Sequence, residues 1–454
     1  MTDLSAPPAD AQREAGTPLG LTAVLAGTLV GTVSNNVVNV PLTAILTDFG
    51  APLGGGVFVV VGFLLALAAA MPLVGWIGDR FGLRRVYCVA LLGTAACAVG
   101  AATAPSLPVL IVWRTLGGAA AAAFAPAAMG LIRWMFDARR RATAIGAWAS
   151  VNGMGQAIGP TMGGVLADAW GWRWVFVPLV PVALIGFAGV LRYVPAVPGR
   201  PIPFDLLGAM ALTFGTALLV LALGLISSPA APRWPVIGTA IGAASMLVWF
   251  VWHCARVPAP FVDVRLVAES RFARSCLAAF AQMFCLGATL LAVPLYLTAN
   301  GASGSLAGVV LFAVPATMAV LGPLVGRCLD RLRPRRVLRI GLVALAATQA
   351  AMAVMVSGHR PPMAVLLVAL VLTGAGIALV QTPAATGATR SPAGARGTGL
   401  GLYNLIRFTG SAIGAAWVAV ALDVSSYPTV FVVTAVVVIV GLAGSFVGPN
   451  PERA

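Results

Sequence analysis

The chain has 454 residues, of which 60% are hydrophobic and only 9% charged. A soluble domain carries roughly 25% charged residues, so a water-facing surface is excluded and the solvent must be mostly lipid. The net charge of +15 sits in short clusters between apolar runs. No long basic face forms, so no nucleic-acid partner is expected; the clusters serve topology and contacts with membrane lipids.

In chain order, residues 1–18 are polar and Pro-rich without a signal-peptide pattern, and a cytoplasmic tail is expected there. Apolar runs of spanning length then follow at about 20–47, 54–77, 86–104, 107–131, 143–168, 174–194, 206–226, 234–254, 272–298, 304–326, 337–357, 362–382, 398–422 and 428–447. Only helices or closed barrels satisfy backbone groups in hydrocarbon, and runs this long predict fourteen helices. Every one of the 28 basic residues is Arg. With both termini in the cytoplasm, the Arg clusters fall inside, and only Arg173, Arg233 and Arg360 fall outside. The expected organisation is a six-helix bundle over 19–200, a two-helix insert over 201–256, a second six-helix bundle over 257–448 and a cytoplasmic tail over 449–454.

The first span carries Thr32, Ser34, Asn35, Asn36, Asn39 and Thr43. In one unbroken helix, positions 32, 36, 39 and 43 share a face, which predicts a polar lining for a central cavity. Interhelical hydrogen bonding is the alternative reading of the same residues. Between the second and third spans runs Gly75-Trp-Ile-Gly-Asp79-Arg80-Phe-Gly82-Leu-Arg84-Arg85-Val86. A second copy, Gly326-Arg-Cys-Leu-Asp330-Arg331-Leu-Arg-Pro-Arg335-Arg336-Val337, joins the tenth and eleventh spans. Gly permits close helix approach, and Asp can accept charge-assisted bonds, so each loop predicts a breakable latch. Repetition in register is how many transporters are built.

Arg114 lies within the fourth span. An Arg near the bilayer centre costs roughly 2.5–3.5 kcal/mol on insertion scales, so it should face the bundle interior and find a partner; snorkelling is the alternative. The fifth span holds Gly155-Gln156-Ala-Ile-Gly159-Pro160-Thr-Met-Gly163-Gly164. Small residues at i and i+4, with a Pro that frees a carbonyl, predict a tightly packed and bendable face. Trp170-Gly-Trp172-Arg173-Trp174 reads as an interfacial aromatic belt. Asn152, Gln156, Gln282, Tyr296, Gln381 and Tyr403 could line a path or serve packing. Arg407, in the thirteenth span, raises the same question as Arg114.

These strings resemble the major facilitator superfamily over essentially the whole chain. Both loops match that superfamily's motif between the second and third helices. Eight spans separate them, which resembles the fourteen-helix drug:proton antiporter group. The Gly–Pro string is similar to the motif of exporters in this superfamily, and the Arg114 string to its fourth-helix Arg motif, which the family uses in proton coupling. The Asn404–Arg407–Gly410 spacing is similar to the group's thirteenth helix. The resemblance implies an all-α polytopic protein of the bacterial inner membrane, a monomer, exporting small amphiphilic compounds in exchange for protons.

One departure stands out. Val33-Ser34-Asn35-Asn36 resembles the group's first-helix motif, but Ser34 stands where the family usually has Asp. No other acid falls clearly mid-membrane: Asp48, Asp168 and Asp423 fall near outer ends, and the rest near the cytoplasmic side or the termini. Asp48 is then the expected substitute for carrying a coupling proton. Arg114 lacks an obvious counter-ion, which predicts anionic or neutral amphiphilic substrates. Other readings on the same scaffold are an importer, a lipid or anionic-metabolite exporter, and an uncoupled transporter. Only His253 and His359 exist, without HExxH or GxxxxGK[ST], so neither a metal site, a cofactor nor an enzyme is expected.

Overall fold

The computed structural model describes residues 17–196, 199, 205–226, 233–258, 260, 269–328, 333–358, 361–391 and 397–448. Asp330 and Arg331 of the second loop lie outside the described residues, as do His359 and Arg360.

The first group of helices comprises α1 (Pro18–Asn36), α2 (Leu42–Phe49), α3 (Leu53–Gly56), α4 (Phe58–Phe81), α5 (Leu83–Ala102), α6 (Leu107–Ala121), α7 (Phe124–Met135), α8 (Ala138–Trp170) and α9 (Leu179–Tyr193). Two further helices are α10 (Leu206–Ile226) and α11 (Arg233–Cys254). The last group comprises α12 (Ser270–Ala299), α13 (Gly304–Leu311), α14 (Ala313–Cys328), α15 (Pro334–Ser357), α16 (Met363–Thr389), α17 (Gly397–Val424) and α18 (Tyr427–Gly444). Among the described residues, 12 helical segments are long and apolar enough to cross a membrane. Two of the fourteen expected spans are not among them: α8, with 33 residues, and α10, with 21.

Local chemistry sets the ends. Thr17 caps α1 by accepting from Gly20 N at 3.1 Å, and Asp137 caps α8 by accepting from Arg140 N at 2.8 Å. Gly82, at φ 93°, turns the chain from α4 into α5 in a single residue. The first span is not the unbroken helix expected over 20–47. It stops at Asn36 and resumes at Leu42, because Pro41 has no N–H to bond the carbonyl of Val37. Asn39 therefore sits in the break and does not share a helical face with Thr32, Asn36 and Thr43.

The packing repeats itself. In the first group α1 packs on α8 and α9, α5 on α6 and α9, and α4 on α6. In the last group α12 packs on α17 and α18, α15 on α16 and α18, and α14 on α16. The partners correspond one for one, as the duplicated loop predicts. The groups meet through reciprocal seams, α8 against α13 and α14, and α17 against α4. The hairpin α10–α11 lies outside this scheme and packs on α4 and α17. Arg80, Arg84, Arg133, Arg140, Arg192, Arg256, Arg274, Arg335 and Arg390 mark one end of the bundle, the arginine-rich end; Arg173 and Arg233 mark the other.

Candidate functional site

The glycines of α8 build the first seam. A Cβ at Gly155 would sit 2.8 Å from Thr32 Cβ, and one at Gly159 would sit 2.9 Å from Asn36 Cβ. One at Gly163 would run into the carbonyl of Val37 and lie 3.3 Å from Pro41 Cδ. The expected i, i+4 face is therefore real, and its partner is α1. Gly163 reaches the very carbonyl that Pro41 leaves without an amide. Beside this face Thr32 Oγ1 donates to Asn152 Oδ1 at 3.0 Å, and Asn36 Nδ2 donates to the carbonyl of Thr32 at 3.1 Å. Gln156 is half-buried on the same helix.

Arg114 lies next to the break, with only 4% of its surface exposed, so it does not snorkel. Its Nη1 donates to the carbonyl of Ser34 at 2.7 Å and its Nε to the carbonyl of Val59 at 3.1 Å. The guanidinium lies 4.4 Å from the Phe63 ring centroid. Its partners are carbonyls and a ring face; among the described residues no carboxylate pairs with it. Arg114 Nη2, Ser34 Oγ, Asn35 Oδ1 and Asn39 Oδ1 are buried and find no hydrogen-bond partner among the described residues.

The second half carries a matching polar set. Gln282 on α12 is fully buried, and neither of its amide atoms has a partner among the described residues. Gln349 on α15 is in the same position. Gln349 is not among the residues expected from sequence, although it is the lone Gln in the span at 337–357. Gln381 Oε1, Tyr403 Oη and Arg407 Nε are likewise unmatched. Arg407 leans on Phe408, 5.1 Å from that ring's centroid. Tyr296 packs edge-on against Tyr427 at 5.2 Å.

At the arginine-poor end, Thr43, Thr47, Asp48, Trp172, Thr298 and Tyr427 line a cavity of about 700 Å³. Asp48 Oδ2 accepts from Trp172 Nε1 at 3.0 Å and from Arg173 Nη1 at 2.8 Å. Those two bonds, the Trp172 bond first, hold its carboxyl below the usual carboxylate range. Asp48 is thus a half-exposed, paired acid, apart from the buried Arg114. At the same end Asp168 on α8 accepts from the backbone and hydroxyl of Ser305 on α13.

In the first duplicated loop, the close helix contact expected at Gly75 is not found among the described residues. A Cβ at Gly75 would meet nothing within 4 Å. Asp79 falls in the last turn of α4, Arg80 stacks 5.4 Å from the Trp76 centroid, and Arg85 is exposed. Arg84 donates to the carbonyl of Leu191 at the end of α9, within its own half. Arg335, at the matching place in the second loop, donates to the carbonyl of Ser445 just past α18 at 2.9 Å.

Comparison with known proteins gives a consistent result. The family model described as Major Facilitator Superfamily matches residues 23–252 and 275–454. The chain is 31% identical to "Multidrug resistance protein Stp" of Mycobacterium tuberculosis, over 85% of this chain and 74% of that protein. It is 29% identical to "Methylenomycin A resistance protein" of Bacillus subtilis, over 90% of this chain and 89% of that one. The xylose transporter XylE from E. coli shares the fold, with a TM-score of 0.68 at 13% identity, covering 98% of this chain and 99% of that chain.

Proposed function

This chain belongs to the major facilitator superfamily, and on that basis we propose that it is a secondary transporter exporting small amphiphilic organic compounds across a bacterial inner membrane. The observation that carries the reading is the reciprocal pair of seams, α8 on α13–α14 and α17 on α4. Two like halves joined by such seams can rock about a shared centre and expose it to each side in turn. Relatives named for multidrug, methylenomycin and puromycin resistance support export of drug-like compounds.

The span count in this reading is fourteen. A helix rises about 1.5 Å per residue, so α8 and α10, with 33 and 21 residues, each cross about 30 Å of hydrocarbon. The arginine-rich end is then cytoplasmic, with both termini on that side. The halves are 19–200 and 257–448, and 201–256 is the insert.

The substrate class follows from charge. Arg114 and Arg407 lie inside spans, and no described carboxylate pairs with either. Such a centre favours anionic or neutral amphiphiles, held by Arg114, Ser34, Asn35, Asn39, Gln282, Gln381 and Arg407 in a largely apolar path. Asn36, Asn152 and Gln156 support the α1–α8 wall, and Tyr296 closes the path near the cavity. Asp48, expected from its position to carry a coupling proton, is held by Trp172 and Arg173, and the proposal gives it no coupling role. Expression in an efflux-deficient bacterium tests export. Tolerance to a panel of amphiphilic antibiotics should rise severalfold, and unchanged tolerance to all of them contradicts the proposal.

A further inference from the structure

Asp168 is the third residue from the end of α8, and Ser305 is the second residue of α13. They belong to different halves. The backbone N–H and the hydroxyl of Ser305 both donate to Asp168 Oδ2, each at 2.6 Å. The carboxylate therefore sits at the first turn of α13, where charge-assisted bonding and the helix dipole both favour an anion. Gly304 leaves it room, since a Cβ there would lie 2.8 Å from Asp168 Oδ1. Below this contact the seam continues without charge. Thr161 Oγ1 donates to the carbonyl of Gly308 at 3.1 Å, and a Cβ at Gly308 would lie 2.7 Å from the carbonyl of Pro160.

We propose that Asp168 and Ser305 form the latch that shuts the arginine-poor face, and that substrate exit requires its release. The proposal rests on the transporter reading. A molecule leaving between the halves at this end must part α8 from α13, and both bonds to the one carboxylate oxygen then break together. Asp168 is exposed and Ser305 half-buried, so water can replace each partner as the face opens. That keeps the net strength modest, as for other exposed charged contacts. A contact of this strength biases a two-state equilibrium without locking it. Beneath it only the Thr161–Gly308 hydrogen bond must also break, and the backbone contact of Gly308 with Pro160 slides apart.

A cysteine pair tests the latch. In a background with the native cysteines replaced, Asp168→Cys with Ser305→Cys is bridged by oxidation or a short bis-maleimide. The unbridged pair should transport, the bridged pair should lose at least tenfold in rate, and reduction of the disulfide should restore it. Transport that persists at full rate through the bridge overturns the proposal, and so does failure of both reagents to bridge the pair. Accessibility gives a readout independent of transport. Asp168→Asn and Gly304→Ala should each speed labelling of Thr161→Cys by an impermeant maleimide from that face, at least fivefold. Unchanged labelling in both variants contradicts the latch. A parent chain that moves no compound would overturn the transporter reading alone, and the labelling rates would still decide the latch.

Discussion

Arg114 Nη1 donates to the backbone carbonyl of Ser34 at 2.7 Å, joining α6 to the last turn of α1. In an unbroken helix that carbonyl would bond the amide of residue 38. The chain turns out of the helix at this point, and the guanidinium takes the amide's place. Nε holds the carbonyl of Val59 on α4. Arg114 is thus a clip across three helices as well as a buried positive charge.

Arg114→Lys should therefore fail although it keeps the charge. A single ammonium cannot reproduce the planar fork that meets two carbonyls from different helices. Leaving a buried carbonyl unpaired costs about 1–3 kcal/mol. Both Arg114→Lys and Arg114→Ala should lower the unfolding temperature in detergent and cut transport at least tenfold. A lysine variant with parental stability and rate would show that only charge matters.

Gly163 and Gly75 should behave oppositely. Alanine at Gly163 meets the Val37 carbonyl, and overpacking of this kind costs roughly 1–3 kcal/mol. Alanine at Gly75 meets nothing within 4 Å, and its better helix propensity should leave stability unchanged or slightly raised. Thermal unfolding of the two purified variants compares them directly. Equal loss in both would contradict the seam geometry.

Asp48 sets a pH prediction. Its folded-state pKa is lowered from 3.8 by the Trp172 and Arg173 contacts. Such a group contributes stability above its unfolded-state pKa and loses it as pH falls through the lowered folded value. The pair is therefore charged and intact across about pH 5 to 8, and Asp48→Asn should leave the pH profile of transport unchanged there. A profile that flattens in this variant would instead make Asp48 the coupling acid.

Ser34→Ala should be mild. Ser34 bonds Arg114 through its backbone, and its hydroxyl has no hydrogen-bond partner among the described residues. Stability should change by less than about 1 kcal/mol, since no hydrogen bond within the fold is lost. Affinity for a substrate that uses the hydroxyl should weaken severalfold. Titrating transport rate against substrate concentration separates the two effects.

Much of this was legible in the sequence because it rests on pattern. The Gly155, Gly159, Gly163 spacing announced a close helix contact, and the recurrence of the loop announced the repeated packing. Other features depend on what sits opposite. Gly75 belongs to a motif of close approach, yet whether a helix stands there is set by tertiary geometry. Pro41 was visible, but a polar run around it read as one helical face. Asp168 was visible only as an acid near a span end. Its partner is 137 residues away, and nothing local in either segment names the other. Arg84 and Arg335 were legible only as matching positions of the repeated loop. Their bonds to the carbonyls of Leu191 and Ser445 show them bracing the end of a helix in their own half.

The proposed function is export through a path whose buried charges are positive. Transport by the purified chain in proteoliposomes, with a matched series of anionic, neutral and cationic amphiphiles and with or without a pH gradient, tests it most directly. The anionic and neutral members should move, and Arg114→Ala should reduce both. Efflux of the cationic member alone, abolished by Arg114→Ala, would contradict the account.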